Sequence, residues 1–370
     1  MLTLHLLPND QARGAQTYAR AMCEELNRRV GGEHKTLSIF AAAGGNLCPD
    51  IQLDARSGML RRLGLDPRAL WALSKLARRM RPTVVVAHGG EPLKYACAAL
   101  PPSIPLAYYK IGVSAGRLHG PMHRLLYTVL LRRVERVAGV SSEAIDEAVH
   151  LFGVPAERTT LIPNGRSPSL FPPRQTPPDS FPPHLLFVGA LTSSKRPEAF
   201  VRLIGRLRER GLDVRATIVG DGPDFVALRA LASAHQVVLL GRRSDVPMLM
   251  READLLVFPS ERVGEGMPGV LIEAGLAGLP VVATRVPGVL DIVQDGVTGM
   301  TVGEHDEDGL FRATLTLALD PSLRRALGLA ARRRCLEHFS LEESVRRWHN
   351  LLVELAAASQ PIRSRTSRQI

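Results

Sequence analysis

The sequence predicts two α/β domains, each built on a parallel, doubly wound sheet, which face each other across a cleft. Three observations lead to this fold class. The chain has 370 residues, which is long for one hydrophobic core and comfortable for two. Short apolar runs bounded by turn residues alternate with longer helix-like stretches, as in repeated βαβ units. Seven prolines lie between residues 168 and 183. Because proline is excluded from helix interiors and central strands, this segment is predicted to be a linker between the two halves.

Each half contains its own series of predicted strands. Those of the first half are Leu2–Leu7, Thr83–Ala87, Leu106–Tyr109 and Val137–Val140. Those of the second half are Leu185–Val188, Ala216–Val219, Val237–Leu240, Leu255–Phe258 and Pro280–Ala283. We therefore place an N-terminal domain at 1–167, a linker at 168–184 and a C-terminal domain at 185–340. A helix at 341–358, which can return to the N-terminal domain, and a disordered basic tail at 359–370 complete the chain.

The composition is typical of a globular protein with a substantial core, since 45% of the residues are hydrophobic and 22% are charged. No apolar run approaches the roughly 20 residues that span a bilayer. The opening residues indicate a first buried strand rather than a signal peptide. The four cysteines have no CxxC spacing, which favours reduced thiols over a disulfide frame or a zinc site. The sequence thus predicts a cytoplasmic protein.

The positive charge lies mainly in the first half. Through Pro168 there are 22 Lys and Arg against 13 Asp and Glu, which accounts for +9 of the net +11. Such a field attracts nucleic acid, an anionic membrane or a phosphorylated substrate. Trp71 lies among arginines, and residues 122–137 are amphipathic, so these segments form either ordinary core with solvated charge or a patch that holds the protein on the inner face of a membrane. Nucleic acid is disfavoured, because only 5% of the residues are aromatic and no binding motif is present.

The most specific segment is PSERVGEGMPGVLIEAGLAGLPVVAT, in which seven residues separate Glu265 from Glu273. Pro268 is predicted at the first position of a helix that runs to about Ala277. Glu265 then lies in a loop and Glu273 in the helix. Backbone N–H groups at this helix start suit phosphate oxygens or sugar hydroxyls. The alternative reading is one solvated and one capping glutamate.

This segment resembles the signature of the family 4 (group 1) retaining glycosyltransferases, whose fold is GT-B. The resemblance implies that Glu265 contacts the donor hexose and Glu273 the ribose hydroxyls. Upstream, LLFVGALTSSKRPEAF resembles the family's strand, glycine and lysine segment that holds the donor diphosphate. Lys195 matches the lysine, whereas Ala190 stands where the family has an arginine. We expect Arg196, or Arg13 from the opposite domain, to supply the missing cation.

The remaining site residues come from the signature segment itself and from weaker matches to the same family. The resemblance implies donor contacts at Gly14, Gly189, Gly220, Gly241, Arg242, Gly266, Met267, Pro268, Gly269 and Val270. On the acceptor side it indicates Gln16 and Lys110, and the position of His88 directly after a predicted strand places this residue at the presumed cleft. Lys110 lies near the position of the family's usual histidine. A solvated Lys110 and a structural His88 remain the alternatives.

Together these motifs imply transfer of a hexose from a nucleoside diphosphate sugar to a hydroxyl acceptor with retention of anomeric configuration. Lys195 and Glu265 are the predicted catalytic residues, acting by electrostatics and positioning. No cofactor and no metal are expected. The acceptor is unidentified, and a lipid-linked or anionic one suits the basic half. The enzymatic rivals are a nucleotide-sugar epimerase of the same fold and a glycosidase that uses both glutamates. The nonenzymatic rival is a protein that binds anionic polymers through the basic half.

Overall fold

The structure, a computed structural model, describes residues 1–11, 14–42, 45–53, 65–113, 120–174 and 181–358. The predictions for Arg13 and for the tail at 359–370 lie outside these residues. Within them, no helix is long and apolar enough to cross a membrane.

The N-terminal domain is a seven-stranded sheet in the order β3-β2-β1-β4-β5-β6-β7, with every neighbouring pair parallel. Its strands are β1 Leu2–Asn9, β2 Glu33–Phe40, β3 Ile51–Gln52, β4 Val84–His88, β5 Leu106–Lys110, β6 Arg136–Gly139 and β7 Thr159–Leu161. Its described helices are Gly14–Arg29, Pro67–Met80, Gly90–Ala99, Pro121–Arg132 and Ser142–Asp146, the last continuing as a π-helical turn, Glu147–Leu151.

The C-terminal domain is a six-stranded parallel sheet in the order β10-β9-β8-β11-β12-β13. Its strands are β8 His184–Val188, β9 Arg215–Val219, β10 Val238–Leu239, β11 Leu255–Phe258, β12 Val281–Thr284 and β13 Met300–Val302. Its helices are Pro197–Glu209, Phe225–Ala234, Val246–Glu252, Gly269–Ala277, Val289–Ile292, Glu307–Leu319 and Pro321–His338. The predicted fold class, two parallel doubly wound sheets, is confirmed.

Strand β2 was not predicted, although it pairs with β1 along almost its full length. Its alternate residues His34, Thr36 and Ser38 are polar, yet all three are buried. Because they interrupt the apolar run, the segment lacks the continuous hydrophobicity that marks a central parallel strand.

The chain passes between the domains twice, and the two passages lie side by side. Arg166 forms an isolated parallel bridge with Ser340, after which the helix Leu341–Ala358 lies on the N-terminal domain. Trp348 of that helix is fully buried, and its Nε1 donates to Tyr18 Oη at 3.0 Å. The last helix therefore follows the C-terminal domain in sequence but packs on the N-terminal domain.

Loops at the carboxyl ends of both sheets meet between the domains. Ser142 donates from its backbone N to Asp291 Oδ2 at 3.0 Å and from its hydroxyl to Asp291 Oδ1 at 2.5 Å. Gly288 N donates to Glu143 Oε2 at 2.8 Å. In open α/β sheets this edge is where ligands bind, so the functional groups of both halves face one cleft.

Candidate active site

Three glycine turns at the ends of β8, β9 and β10 line one side of the cleft. Gly220 N donates to Gly241 O at 2.9 Å, and Gly189 N donates to Val219 O, at the end of β9, at 3.0 Å. Gly220 has a φ of 148°, and a Cβ atom there would lie 1.8 Å from Gly189 O. Only glycine fits this turn. Beside it lies an open cavity of about 440 Å³, lined by these turns and by Arg242, within the usual size of a small-molecule site.

The segment from Gly266 to Gly269 is wedged between the two domains. A Cβ atom at Gly266 would lie 2.3 Å from Ile111 O of the N-terminal domain. Met267 is buried, and Val270 is partly buried against the same core cluster. The helix begins at Gly269, so the prediction that Pro268 is its first helical residue was wrong by one position; Pro268, with ψ of 104°, is the cap. Pro268 makes no side-chain hydrogen bond to this helix start, and backbone N–H groups at such a position suit an anionic ligand.

Lys195 and Glu265, the two predicted catalytic residues, are in direct contact. Lys195 Nζ donates to Glu265 Oε1. The carboxylate side chain is 5% exposed and the lysine 26%, so the lysine is the more accessible of the two. Charge-assisted contacts of this kind orient both groups.

Glu273 has a cationic partner that sequence reasoning missed. Arg166 Nε donates to Glu273 Oε1 at 2.7 Å, although 107 positions separate the two residues. The signal was present in the segment LIPNGRSPSLFPP, which carries Arg166 directly before the linker. No role in the site was predicted for it.

Arg196, one expected replacement for the cation missing at Ala190, is engaged elsewhere. It has left-handed backbone angles, φ 50° and ψ 49°, and is buried. Its Nη2 donates to Glu307 Oε1 at 2.9 Å. The ion pair directs its guanidinium to the start of the helix Glu307–Leu319 rather than to the Lys195–Glu265 pair.

On the acceptor side, Lys110 is buried, so the reading of a solvated lysine was wrong. Its Nζ donates to Glu147 Oε2 at 2.7 Å and to Gly112 O at 2.8 Å. Burial lowers the pKa of Lys110, and the nearby Glu147 carboxylate opposes that shift. Gln16 is also buried, and its Nε2 donates to Asn9 Oδ1 at 3.3 Å. Gly14, the first residue of its helix, has open space where a side chain would stand.

His88 is both structural and close to the cleft. Its Nε2 lies 3.1 Å from His5 Nδ1, and its ring stacks on Trp348 with centroids 6.1 Å apart. Burial lowers the pKa of His88 to about 3, so the ring is neutral at physiological pH. His88 also lines, with Lys110 and His123, a cavity of about 290 Å³ on the N-terminal side of the cleft.

Metal ligands do not gather at this site. Within the residues that the structure describes, no group of three or more His, Cys, Asp or Glu side chains is arranged to hold a metal ion.

Two family descriptions match the chain, one for each domain. "Glycosyltransferase Family 4" matches residues 12–170, and "Glycosyl transferases group 1" matches residues 182–320. Together they extend over every described site residue and over all strands of the two sheets except β1. The resemblance read from the sequence motifs is confirmed.

Individual relatives agree with this assignment. Glycogen synthase of Mycobacterium tuberculosis is 28% identical over 306 residues, which are 77% of this chain and 69% of that protein. A GDP-mannose-dependent alpha-(1-6)-phosphatidylinositol monomannoside mannosyltransferase of Mycolicibacterium smegmatis is 32% identical over 168 residues, 42% of this chain and 44% of that protein. Among solved structures, Anabaena Alr3699/HepE in complex with UDP superposes with a TM-score of 0.78 at 19% identity, covering 96% of this chain and 100% of that one. This likeness confirms the GT-B fold.

Proposed function

Because the chain belongs to the family 4 (group 1) glycosyltransferases, which retain anomeric configuration, we propose that Lys195, Glu265 and Glu273 form its donor site. The observation that carries this proposal is the contact between Lys195 and Glu265, which lies four positions before the helix start at Gly269. A cation, a carboxylate and the backbone N–H groups of a helix start together suit a sugar attached to a diphosphate.

In the proposed mechanism the protein supplies charge and position rather than a nucleophile. Lys195 exchanges its contact with Glu265 for the donor diphosphate, whose negative charge increases as the glycosidic bond breaks. The N–H groups at Gly269 stabilise the same charge, and Glu265, released from the lysine, accepts hydrogen bonds from the hexose hydroxyls. Groups that are already in place when charge develops are the main source of rate enhancement in such reactions. Transfer requires no metal in this scheme, so EDTA should leave the rate unchanged.

We infer that the donor is a UDP or GDP sugar. The support is indirect: HepE is described with UDP, and the mannosyltransferase of M. smegmatis is named for GDP-mannose. Thermal shift with UDP, GDP and other nucleoside diphosphates is the test, because a ligand at 100 times its Kd adds about 2.7 kcal/mol to stability. We expect the nucleoside diphosphate of one base to stabilise the protein, and we expect this stabilisation to be lost in Lys195→Ala. No stabilisation by any nucleoside diphosphate would contradict the proposal.

An assay with and without acceptor separates the transferase from its rivals. A transferase consumes the donor only when a hydroxyl acceptor or water takes the sugar, whereas an epimerase converts the donor by itself. A glycosidase needs one protonated carboxyl group as general acid. Here each glutamate is paired with a cation, Glu265 with Lys195 and Glu273 with Arg166. Both carboxyl groups are therefore engaged with cations rather than free to act as general acid and nucleophile, which favours the transferase.

We further propose that the N-terminal domain rests on an anionic membrane that carries its acceptor. The helix Pro121–Arg132 exposes four apolar side chains: Met122 at 82%, Leu125 at 63%, Val129 at 52% and Leu126 at 42%. Beside it lies an apolar groove of about 500 Å³ with Lys94 and Arg133 in its lining. Across the neighbouring helix Gly90–Ala99, Trp71 is 66% exposed. Apolar side chains surrounded by cations are the composition of interfacial helices.

Sedimentation with vesicles tests this surface. We expect salt-sensitive binding to phosphatidylglycerol vesicles, weaker binding to neutral ones, and loss of binding in Met122→Ser/Leu125→Ser. Val226→Ser is the matched control, since Val226 is 81% exposed on the other domain. Equal binding by the double variant and the control would show that this helix is not the contact surface.

A further inference from the structure

Arg166 lies where the two passages between the domains are joined. Its backbone N donates to Phe339 O at 3.0 Å, and Leu341 N donates to Arg166 O at 2.8 Å. Gly165, directly before it, leaves no room for a side chain, because a Cβ atom there would lie 2.6 Å from Leu341 Cα. The backbone of Arg166 is therefore fixed by both connections.

The side chain of Arg166 extends from this crossing to the donor half of the cleft. Its Nε donates to Glu273 Oε1 at 2.7 Å, with side chains 19% and 21% exposed respectively. Its Nη2 lies over the start of the helix, since a Cβ atom at Gly269 would be 2.1 Å from it. The lack of a side chain at Gly269 thus makes room for the guanidinium. The hydrogen bond from Arg166 engages only one of the two carboxylate oxygens, Glu273 Oε1.

We propose that Arg166 is a positioning residue that holds Glu273 ready for the ribose of the donor. One carboxylate oxygen is fixed by the guanidinium, which leaves the other directed at the ribose hydroxyls. An unpaired glutamate would lose rotamer freedom on binding, whereas this one has lost it already. Because Arg166 is anchored at the crossing, ribose recognition depends on the relative position of the domains. The inference rests on the role proposed for Glu273.

The test compares binding of the selected nucleoside diphosphate, UDP or GDP, with binding of its 2′,3′-dideoxy analogue. The Kd of the dideoxy analogue divided by the Kd of the nucleoside diphosphate measures recognition of the ribose hydroxyls alone. We expect Glu273→Gln to reduce this ratio about tenfold, the size of a hydrogen bond to a charged group. Arg166→Met, which keeps the aliphatic volume, should reduce it as much while the affinity for the dideoxy analogue stays within about twofold. The double variant should lose nothing more, and Arg166→Lys should restore part of the ratio.

Arg174→Ala is the matched control. Arg174 also lies at the connection between the domains, and its Nη2 donates to Asp254 Oδ1 at 2.8 Å. Its backbone N donates to Ala277 O, at the far end of the helix that carries Glu273. We expect this variant to lower the unfolding midpoint without changing the ratio, which separates positioning from general stability.

Three results would overturn the inference, and they are distinguishable. If Glu273→Gln reduces the ratio and Arg166→Met does not, the arginine does not position the glutamate. If Arg166→Met weakens the diphosphate and its dideoxy analogue equally but spares the nucleoside, Arg166 is instead a cation on the diphosphate. If Glu273→Gln itself leaves the ratio unchanged, the role of Glu273 in the proposed function fails together with the inference.

Discussion

Gly266→Ala should disable the enzyme by pushing its two domains apart. The added Cβ would lie 2.3 Å from Ile111 O and 2.8 Å from Gly112 Cα, whereas real Cβ contacts are essentially never below 3.0 Å. The loop and the N-terminal backbone must therefore separate by at least 0.7 Å, the difference between 3.0 and 2.3 Å. Both neighbours are backbone, so no side-chain rotation relieves the overlap.

The loop cannot retreat on its other side. Gly288 packs so closely there that a Cβ on it would lie 2.4 Å from Gly266 O. On the opposite side, Lys110 holds Gly112 through its hydrogen bond and its ion pair with Glu147. The displacement must open the cleft or move Glu265, the preceding residue. A misplacement of about 1 Å is enough to cost roughly 10²-fold in rate, which corresponds to about 2.7 kcal/mol in the barrier.

The assay is kcat/KM for transfer, with calorimetric Kd values for the nucleoside diphosphate. We expect kcat/KM to fall about 10²-fold while nucleotide affinity falls less, because most proposed donor contacts belong to one domain. Gly303→Ala is the control, since a Cβ there would lie 3.5 Å from its nearest neighbour, an ordinary contact. Wild-type kcat/KM in Gly266→Ala would refute the argument, because the working enzyme would then not bring these backbones so close.

Two further predictions concern the buried His88 and the basic residues Lys195 and Arg196. Burial lowers the pKa of His88 to about 3, from 6.5, so the unfolded chain binds the extra proton first and stability is lost as pH falls below about 6.5 toward 3. The free energy of unfolding should fall by about 2 kcal/mol between pH 6.5 and 5 for this reason. The urea midpoints at pH 7 and pH 5 should therefore differ less in His88→Gln than in wild type. An equal difference in the two proteins would exclude the effect. Lys195→Ala should cut kcat/KM by about 10²-fold, whereas Arg196→Ala should lower the thermal midpoint and keep the donor KM, because Arg196 pairs with Glu307. A raised donor KM in Arg196→Ala would instead support the compensation expected from the sequence.

The order of elements and the positions of the key motifs were predictable because they depend on neighbours in the chain. Apolar runs followed by glycine turns mark parallel strands and their loops, and Glu265 and Glu273 fall in a loop and in the next helix by their spacing alone. The strand Leu255–Phe258 was predicted with its observed bounds. Strand β2 failed this local test, since its polar residues are buried only by contacts with the rest of the fold.

The partners of the charged residues were decided by the tertiary structure. Arg166 is 107 positions from Glu273 and 37 positions separate Lys110 from Glu147, so no local pattern links either pair. Two of the expectations for single charges, a solvated Lys110 and a compensating Arg196, were formed without knowledge of the carboxylate that each one meets. The sequence by itself placed Lys195, Glu265 and Glu273 in loops or helices that follow predicted strands, because that depends only on their spacing from those strands. Which charged groups pair depends on how the two sheets and the returning helix are packed, and an ion pair forms only where that packing brings opposite charges within a few ångströms.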